Sequence, residues 1–457
     1  MNFDTSLSIT NHTDTAKLNT KMKLGVALIV TAAFVLGVGL FQQFYHPALL
    51  IVFIVAISTG SLLYTKGLYT NTTPGIKNNG VMFKSLTSKG LWAWALGIAL
   101  TAFYILLYWY PQLLGLNSTV NTGLVRFFNP LSYFLSGKAA SQWFVYGTLY
   151  TLAILLMGIK FIYKNIHSKY QIYRTLSIMF FQFILAFLLP EILGGLNLPY
   201  NDFKNMWPLN YYFFHDWHLK ELLNSGSFGM FVLVWGILLI TVISPVLTYF
   251  YGKRWYCSWV CGCGGLAETA GDPFRQLSSK KMSAWKLERV TIYSVLIFAV
   301  VMTALVIYNY FTGASKVLFL DAYKVREWYG FIIGAAFSGV IGVGFYPIFG
   351  SRVWCRFGCP MAAILGIQQK FFSRFRITTN GSQCISCGNC NTYCEMGIDV
   401  RSYAQRGQDI VRSSCVGCGV CSAVCPRGVL KLENGPLNTK KLDGPIQYQN
   451  GKFLVTK

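Results

Sequence analysis

Eight cysteines in the C-terminal part of the chain form two runs with the same spacing. The first run is "CISCGNCNTYC", residues 384–394, and the second is "CVGCGVCSAVC", residues 415–425. The shared C-x2-C-x2-C-x3-C spacing is typical of chains that hold two 4Fe-4S clusters, in which the fourth cysteine of each run binds the other cluster. Structural zinc sites use separated C-x2-C pairs instead. We therefore predict a crossed arrangement, with cluster 1 on Cys384, Cys387, Cys390 and Cys425, and cluster 2 on Cys415, Cys418, Cys421 and Cys394.

Two smaller features adjoin these runs. Gly388 and Gly419 follow the second cysteine of each run and permit tight turns, whose amide groups would tune the cluster potentials. Glu395 follows the first run at the position where Pro426 follows the second. We expect this difference to change the environment of one cluster.

A second set of cysteines lies upstream, in two segments that align with each other. The segments are "FYGKRWYCSWVCG", residues 250–262, and "IFGSRVWCRFGCP", residues 348–360. The alignment matches Arg254 with Arg352, Cys257 with Cys355, and Cys261 with Cys359. The sequence therefore predicts an internal repeat with one C-x3-C pair in each copy.

The sequence leaves the chemistry of the C-x3-C pairs open. Four thiolates would suit a third metal centre, a copper(I) site or two redox dithiols, and reduced cysteines without chemistry are the remaining alternative. If each pair opens a short helix, the i, i+4 spacing points both thiols to one side. Arg254 and Arg352 would then favour the thiolate form. Cys263 has no counterpart in the second copy and receives no role.

The rest of the chain is largely apolar. Of its 457 residues, 54% are hydrophobic and only 12% are charged, and the mean hydropathy is +0.45. Because a helix needs about 20 apolar residues to cross the hydrocarbon core, we expect an α-helical polytopic membrane protein with about eight transmembrane helices. The predicted spans are Leu24–Phe41, Pro47–Tyr64, Leu91–Tyr110, Trp143–Tyr163, Leu176–Leu196, Phe228–Tyr251, Val290–Phe311 and Tyr329–Phe349, the first two forming a helical hairpin.

Lysine and arginine are unevenly divided between the two sides of this topology. With the N-terminus inside, the inner segments hold 32 of the 39 basic residues and the outer loops hold 7, as the positive-inside rule requires. Both termini and all 13 cysteines, which lie between Cys257 and Cys425, are then cytoplasmic. Thiols stay reduced there, which favours metal binding or catalysis over disulfides. We expect a multi-pass protein of the bacterial inner membrane, whose first span is an uncleaved anchor.

The net charge of +23 is also explained by the membrane topology. It is spread along the inner segments, beside anionic lipid headgroups. A nucleic-acid-binding protein would instead concentrate its basic residues on one soluble face. Membrane lipid is therefore an expected partner and nucleic acid is not.

These features divide the chain into seven parts. They are a cytoplasmic N-terminal segment (1–23), a six-helix membrane region (24–251), a cytoplasmic loop with a C-x3-C-x-C motif (252–289), a two-helix membrane region (290–349), a cytoplasmic C-x3-C-P motif with a linker (350–376), a cytoplasmic two-cluster 4Fe-4S domain (377–434) and a polar tail (435–457).

The membrane half offers few other sites. All five histidines lie outside the predicted spans, so we expect no haem in this chain. Glu191 is the only acidic residue within a predicted span. It suits either a quinone or proton site or an interfacial position next to a Pro-interrupted helix. The outer stretch "FFHDWH" places His215, Asp216 and His218 together, where metal binding or quinol deprotonation competes with an ordinary interfacial loop.

Several spans, two C-x3-C motifs and a two-cluster segment together resemble the polyferredoxin-type membrane iron-sulfur proteins. This family includes the NapH-type subunit of periplasmic nitrate reduction, the membrane regulator of nitrous-oxide reductase and the copper-handling assembly factor of cbb-type oxidase. Residues 228–430 carry the resemblance, which implies a bacterial-type two-cluster ferredoxin domain at the C-terminal end. The family typically has Cys-Pro where this chain has Cys261-Gly262.

Motifs and resemblance together predict an electron carrier or a subunit of an oxidoreductase in a respiratory chain. Two 4Fe-4S clusters would pass single electrons between a quinone or a membrane redox subunit and a soluble or membrane redox protein. One alternative is an assembly or metal-reductase factor that delivers copper through Cys257, Cys261, Cys355 and Cys359. The other alternative is a redox sensor. The sequence specifies neither the donor and acceptor nor the direction of flow.

Overall fold

The computed structural model describes residues 18–41, 45–69, 84–313, 316–317, 320–435, 446–449 and 452–455. Most of the expected N-terminal segment 1–23 and most of the expected tail 435–457 lie outside the described residues. The described chain is mainly helical and ends in a small domain with short helices and strands.

Seven helices in the described part of the chain are long and apolar enough to cross a membrane. We number them spans 1 to 7 in chain order: Thr20–Gly39, Ala48–Tyr69, Leu91–Trp109, Gln142–Lys164, Lys169–Gly195, Gly226–Tyr251 and Met282–Thr312. They coincide with the first seven predicted segments. The prediction of a helical chain with several membrane spans is thereby confirmed.

The eighth predicted span, Tyr329–Phe349, is not among these helices. A helix does cover Ala322–Tyr329, and it continues as the wider π-helix Gly330–Ile341. Gly342 and Gly344 follow in a turn, which separates this segment from the short helix Tyr346–Phe349 with Pro347 in its first turn. An uninterrupted eighth helix is therefore the wrong description of this segment.

Spans 1 and 2 form the predicted hairpin through close backbone contact. A Cβ atom at Gly25 would lie 2.7 Å from the carbonyl oxygen of Gly60, so only glycine permits this approach. The side-chain amide of Asn19 donates a hydrogen bond to the carbonyl of Gly67 at 2.7 Å. Such small-residue contacts are a common way for membrane helices to pack.

Spans 5 and 6 each contain a π-helical segment. In span 5 it is Phe181–Leu188, just before Pro190, and in span 6 it is Leu239–Ile243, just before Pro245. Proline has no N–H group and its ring displaces the carbonyl one turn earlier. The wider turns accommodate the proline without ending either span.

The remaining elements are short. Helices of the loops between spans are Lys84–Thr87, Pro111–Leu114, Gly123–Phe127, Asn129–Ser136 and Asp216–Asn224. Helices near the C-x3-C motifs are Arg254–Cys257, Gly262–Glu268, Asp272–Leu277, Val353–Phe357 and Pro360–Phe372. Helices of the C-terminal domain are Gly381–Gln383, Asn389–Thr392, Val400–Gln405 and Val420–Ala423. Three antiparallel strand pairs are Lys316–Val317 with Leu320–Asp321, Arg376–Thr379 with Leu430–Glu433, and Ile446–Gln449 with Lys452–Val455.

The strand pair of the C-terminal domain joins its two ends. Arg376 pairs with Glu433 and Thr379 pairs with Leu430, so the strands flank both cysteine runs. The start and the end of the domain are therefore held together, which closes it into one unit around the eight cysteines.

Span 7 separates two ends of the molecule. It begins at Met282, directly after the first C-x3-C segment, and its 31 residues rise about 46 Å before Thr312. Near its start, Glu288 accepts a hydrogen bond at 3.0 Å from Nε of Arg356, which belongs to the second segment. Both C-x3-C segments therefore lie at one end of span 7, which we call the cysteine end. Thr312 and the following Gly313 lie at the other end, which we call the loop end.

The largest buried core crosses from the spans into the C-terminal domain. Met302 of span 7, Cys257 and Cys355 of the two segments, and Ile377 and Val416 of the domain belong to one cluster of buried side chains. Apolar burial is the main stabilising contribution to such contacts. The C-terminal domain thus packs directly on the cysteine end of the spans.

Candidate metal centres and redox site

The eight cysteines of the C-terminal domain line two separate cavities. Cys384, Cys387, Cys390 and Cys425 line a cavity of about 360 Å³, including its open mouth. Cys394, Cys415, Cys418 and Cys421 line another of about 390 Å³. We call them cavity 1 and cavity 2. Each receives three cysteines of one run and the fourth cysteine of the other, which is the grouping that the spacing predicts.

Left-handed glycines give both runs the same local fold. Gly388 has φ 80° and precedes the short helix that carries Cys390, and Gly419 has φ 74° and precedes the one that carries Cys421. Most other residues are strained in this conformation. The two glycines thus turn each run so that its cysteines face a common cavity.

The cysteines surround the cavities instead of converging on one point. Within the described residues, no three His, Cys, Asp or Glu side chains are placed to hold a single metal ion. A 4Fe-4S cluster needs a different arrangement, because each of its four irons takes one thiolate. Four cysteines spread around a cavity therefore fit a cluster better than a zinc ion.

The second cysteine run is attached to the membrane half by hydrogen bonds to its backbone. Tyr170 donates to the carbonyl of Gly417 at 2.9 Å, and Gln171 donates to the carbonyl of Cys418 at 2.9 Å. Gln369 Nε2 donates to the carbonyl of Cys415 at 2.8 Å. These side chains come from the start of span 5 and from the helix after the second C-x3-C pair. They fix cavity 2 against the cysteine end.

The two cavities differ in exposure. Cys415 and Cys421 of cavity 2 are each 7% exposed, whereas Ile385, between two cysteines of cavity 1, is 47% exposed. Arg401 and Arg427 also line cavity 1 and are exposed. Cavity 1 therefore faces the surroundings, and cavity 2 faces the interior.

The two C-x3-C pairs share one local fold, which confirms the internal repeat. In each copy the first cysteine lies in one short helix and the second cysteine caps the next. The N–H of Cys261 donates to the carbonyl of Tyr256 at 2.8 Å, and the N–H of Cys359 donates to that of Trp354 at 3.0 Å. A break separates the two cysteines, so the expectation of one helix with i, i+4 thiols is wrong.

Gly262 departs from the second copy for a steric reason. A Cβ atom there would lie 2.5 Å from the side-chain oxygen of Gln182 in span 5. Pro360, the matching residue, begins the helix Pro360–Phe372. A proline at position 262 would therefore require the side chain of Gln182 to move.

Five thiols lie close together at the cysteine end, four of them buried and that of Cys263 half-buried. They are Cys257, Cys261, Cys263, Cys355 and Cys359, and their charges act on one another. Burial raises the pKa of Cys257 to about 12, although Lys253 and Arg352 oppose this. A hydrogen bond from Cys263 lowers the pKa of Cys261 to about 6 despite its burial. Cys263, without a role in the sequence interpretation, thus stabilises a neighbouring thiolate.

The two matched arginines have different environments. Nη1 of Arg352 lies 3.6 Å from Sγ of Cys355 and 3.4 Å from the carbonyl oxygen of Cys257, so it joins both copies. Arg254 turns away from the thiols, donates to Asn434 at 3.0 Å and stacks 4.5 Å from the ring centre of Phe375. Arg254 was expected to favour a thiolate. Lys253 does so instead, because its buried ammonium group opposes the rise in the pKa of Cys257.

Seven buried charged residues form a continuous ion-pair chain behind these thiols. In order of contact they are Lys164, Asp272, Arg275, Glu395, Arg352, Glu268 and Arg174. The Lys164–Asp272 contact is 2.5 Å and the Arg352–Glu395 contact is 2.9 Å. Glu395 directly follows Cys394 of cavity 2, and Arg352 contacts Cys355. The ion-pair chain therefore connects cavity 2 with the five thiols.

The ion-pair chain carries an excess of positive charge. It contains four cations and three carboxylates, all at most 9% exposed. Burial alone would raise the pKa of Glu395, but Arg352 and Arg275 hold it below its usual range, so the carboxylate is ionised. Within the described structure, Nε of Arg174 and Nη1 of Arg275 have no hydrogen-bond partner. An uncompensated buried cation is costly, so an anionic thiolate-bound cluster beside it fits this environment.

At the loop end, the predicted polar residues do not converge on a metal site. Asp216 pairs with Arg326 at 3.1 Å, and Nδ1 of His218 lies 3.6 Å from Glu221. His215 lines a separate cavity with aromatic residues. Glu191 is half-buried in the first turn of the helix Leu189–Gly195, directly after its proline. None of these placements supports a metal ion.

The loop between spans 5 and 6 reaches far into the bundle. Nε1 of Trp207 donates to Thr303 of span 7 at 2.9 Å. Lys204, paired with Asp202 at 2.9 Å, lies close enough to Cys261 to interact with it electrostatically. The five thiols are therefore approached from the loop end as well as from the C-terminal domain.

The sequence interpretation missed the residues that connect these sites. Gln171, Gln369 and Glu268 belong to no motif, and each is at most 1% exposed. The one available signal was Glu395, which stands where the second run has Pro426. In the structure this residue is a member of the ion-pair chain. Uncharged side chains that bind carbonyl groups leave no comparable pattern in a sequence.

Two protein families match the chain. A 4Fe-4S binding domain matches residues 233–282 and again residues 331–378, and each match contains one C-x3-C pair. A 4Fe-4S dicluster domain matches residues 383–430, which hold both cysteine runs. These matches agree with the internal repeat and with a C-terminal ferredoxin domain that binds 4Fe-4S clusters.

Two curated proteins are similar to part of the chain. The putative electron transport protein YccM of Escherichia coli (strain K12) is 26% identical over 160 residues, which cover 34% of this chain and 44% of that protein. An uncharacterized protein of Methanocaldococcus jannaschii is 27% identical over 169 residues, which cover 35% of this chain and 59% of that protein. The similarity thus spans about half the length of these relatives. No solved structure matches the chain.

The family matches lie in the cysteine-rich half of the chain, and most of the seven apolar helices precede them. The clustered cysteines, the 4Fe-4S domains and the similarity to an electron transport protein support a role in iron-sulfur electron transfer. Combined with seven apolar helices, they fit a membrane protein of the polyferredoxin type.

Proposed function

We propose that this protein transfers single electrons between a quinone or redox subunit in the membrane and a redox protein on the cytoplasmic side. The observation that carries the proposal is the pair of cavities, each lined by four cysteines. Each cavity would hold one 4Fe-4S cluster, which supplies one-electron redox chemistry when bound.

The unequal exposure of the cavities supports an order of transfer. Cavity 1 lies at the surface with Arg401 and Arg427 beside it, which suits a redox partner with an acidic docking face. Cavity 2 is held against the cysteine end through Gln171 and Gln369. Electrons would therefore pass between the partner and the membrane half by way of cavity 1 and then cavity 2.

The side of the membrane follows from the distribution of basic residues. The cysteine end and the C-terminal domain belong to the segments that hold 32 of the 39 lysines and arginines. The positive-inside rule assigns these segments to the cytoplasm. We propose a multi-pass protein of the bacterial inner membrane whose ferredoxin domain faces the cytoplasm.

The group of five thiols favours a second candidate function, the reduction or delivery of copper. Soft thiolates select copper(I), and the lowered pKa of Cys261 gives one thiolate at neutral pH. In this role the ferredoxin clusters would supply electrons to copper at Cys257, Cys261, Cys355 and Cys359. Oxidation of reduced clusters by copper(II) that is lost in Cys355→Ser, with both clusters intact, would favour this candidate.

Anaerobic purification followed by iron analysis and EPR tests the main proposal. Two clusters require about 8 iron atoms per chain. Cys384→Ser and Cys415→Ser should each remove one set of cluster signals and leave the other. Cys257→Ser is the control, because it lies outside both cavities and should retain both signals. A chain that binds about 2 zinc ions and no iron would overturn the proposal.

A further inference from the structure

A cavity of about 930 Å³, including its open mouth, lies at the loop end, apart from all the cysteines. Its lining includes Tyr211, Tyr212, His215, Trp217, Tyr323 and Arg326. Its walls come from the loop between spans 5 and 6 and from the helix that begins at Ala322. Cavities of this size that combine aromatic walls with polar groups, here His215, Arg326 and Glu327, are typical of sites for small organic molecules.

The polar groups of this cavity include an unsatisfied imidazole. His215 is only 4% exposed, and its Nε2 has no hydrogen-bond partner among the described residues. Burial and the nearby Arg326 lower the pKa of His215 to about 4, so its imidazole is neutral at pH 7. A buried polar atom without a partner is costly, and a ligand with a hydroxyl or carbonyl oxygen would satisfy it.

The surroundings of the cavity suit a ligand with a long apolar tail. Trp217 and Tyr323 of its lining are 49% and 44% exposed, and Trp328 and Phe331 beside it are 59% and 48% exposed. Exposed aromatic side chains at the ends of membrane helices are typical of the lipid interface. An aromatic headgroup could therefore enter the cavity while its tail remains in lipid.

Aromatic contacts lead from the cavity toward the five thiols. The ring of Tyr211 in the cavity wall lies 5.2 Å from the ring of Tyr329. Tyr329 is 1% exposed and belongs to the same buried cluster as Cys261 and Cys359. Lys204, in the same loop as Tyr211, lies close enough to Cys261 to interact with it electrostatically. A redox molecule in the cavity would thus be linked to the cysteine end through packed protein and not through lipid.

We propose that this cavity binds the headgroup of an isoprenoid quinone, with His215 Nε2 hydrogen-bonded to one quinone oxygen and Arg326 close to the bound ring. The proposal rests on the proposed electron-transfer function and specifies the membrane carrier and its site. Reduction of one quinone to quinol takes two electrons, one from each of the two reduced clusters. It also takes two protons, which come from water at the open mouth of the cavity.

Photolabelling of the full chain in detergent with an azidoquinone analogue tests the site directly. Peptide mapping by mass spectrometry should locate the label within residues 211–217 or 323–330. His215→Gln and Arg326→Gln should each weaken binding of the analogue by about tenfold, the equivalent of one hydrogen bond. Label confined to other segments, or unchanged binding in both variants, would overturn the proposal.

His218→Gln is the matched control, because His218 is buried nearby but does not line the cavity. It should bind the analogue as the unaltered chain does, and equal weakening in all three variants would indicate a general loss of structure and overturn the assignment of His215. Cluster content, measured from the dithionite-reduced spectrum, separates the two proposals. Intact clusters without labelling of the cavity contradict the quinone site alone, whereas labelling in a chain without clusters contradicts the electron-transfer function alone.

Discussion

At the scale of single residues, His215 and Glu395 show opposite effects of burial. His215 is kept neutral because burial and Arg326 both disfavour its charged form. Glu395 stays ionised because Arg352 and Arg275 offset the cost of its burial. The first side chain is suited to hydrogen bonding with a neutral ligand, and the second to neutralising fixed cations.

The pKa of His215 predicts how quinone binding depends on pH. Because this pKa is lowered to about 4, the imidazole remains neutral between about pH 5 and 8, and affinity for a quinone analogue should be constant over that range. Asp216 is paired with Arg326, and Glu327 lines the cavity, so both carboxylates also face this region. A twofold or larger change in the dissociation constant centred near the ordinary histidine pKa of about 6.5 would contradict the assignment.

The ion-pair chain predicts a large effect for Glu395→Gln. The substitution removes one of three carboxylates opposite four buried cations. Breaking a buried pair on one side costs about 3–5 kcal/mol. We expect the free energy of unfolding to fall by about 3 kcal/mol, measured by following cluster absorbance during a guanidinium titration.

Asp409→Asn supplies the comparison for Glu395→Gln. Asp409 is paired with Arg376 at 3.9 Å and its side chain is 23% exposed, in the same domain. Exposed pairs contribute about 0–1 kcal/mol. If the free energy of unfolding fell equally in the two variants, the ion-pair chain would contribute no more to stability than an exposed ion pair.

At the scale of elements, the helix Gly262–Glu268 is held by close backbone contact. A Cβ atom at Gly264 would lie 2.1 Å from the carbonyl oxygen of Cys257 and 3.1 Å from Nη1 of Arg352. This helix can therefore occupy its place between the two C-x3-C segments only with glycine at this position.

Gly264→Ala should displace that helix and disturb the five-thiol site. We expect a lower melting temperature in detergent and a destabilisation of about 1–3 kcal/mol, as for other overpacked sites. Gly37→Ala in span 1 is the control, because a Cβ atom there would have no neighbour within 4 Å. Its effect should be neutral or slightly stabilising, since alanine has the higher helix propensity. A melting temperature equal to that of the Gly37→Ala chain would contradict the close contact.

The sequence correctly predicted the elements that depend on local composition. It did not predict the helix boundaries that depend on contacts between elements. Spans 1 to 7 follow from long apolar windows, and the turns at Gly388 and Gly419 follow from residue type. The interruption after Ile341 and the break between Cys355 and Cys359 depend on glycine and proline in places where hydropathy stays high. Hydrophobic periodicity alone does not show that a helix ends at these positions.

At the scale of the whole molecule, the grouping of the cysteines was predictable and the docking of the domain was not. The spacing alone predicted which four cysteines surround each cavity. The attachment of cavity 2 to the spans depends on Tyr170, Gln171 and Gln369, which lie at least 46 positions from the cysteine run residues that they contact. Such contacts between distant residues follow from the packed structure and not from a motif.

That docking predicts an order of electron transfer that two cysteine variants can distinguish. Cys387→Ser should disable cavity 1 at the surface, so a reduced soluble ferredoxin used as a probe should no longer reduce the protein. Cluster 2 of this variant, reduced by dithionite, should still be oxidised by a quinone analogue. Cys418→Ser should disable cavity 2, so cluster 1 should accept electrons from the ferredoxin and fail to pass them to quinone. Stopped-flow absorbance under anaerobic conditions measures both reactions. Oxidation by quinone at an unaltered rate in Cys418→Ser would mean that electrons bypass cavity 2 and would contradict the order proposed from its attachment to the cysteine end.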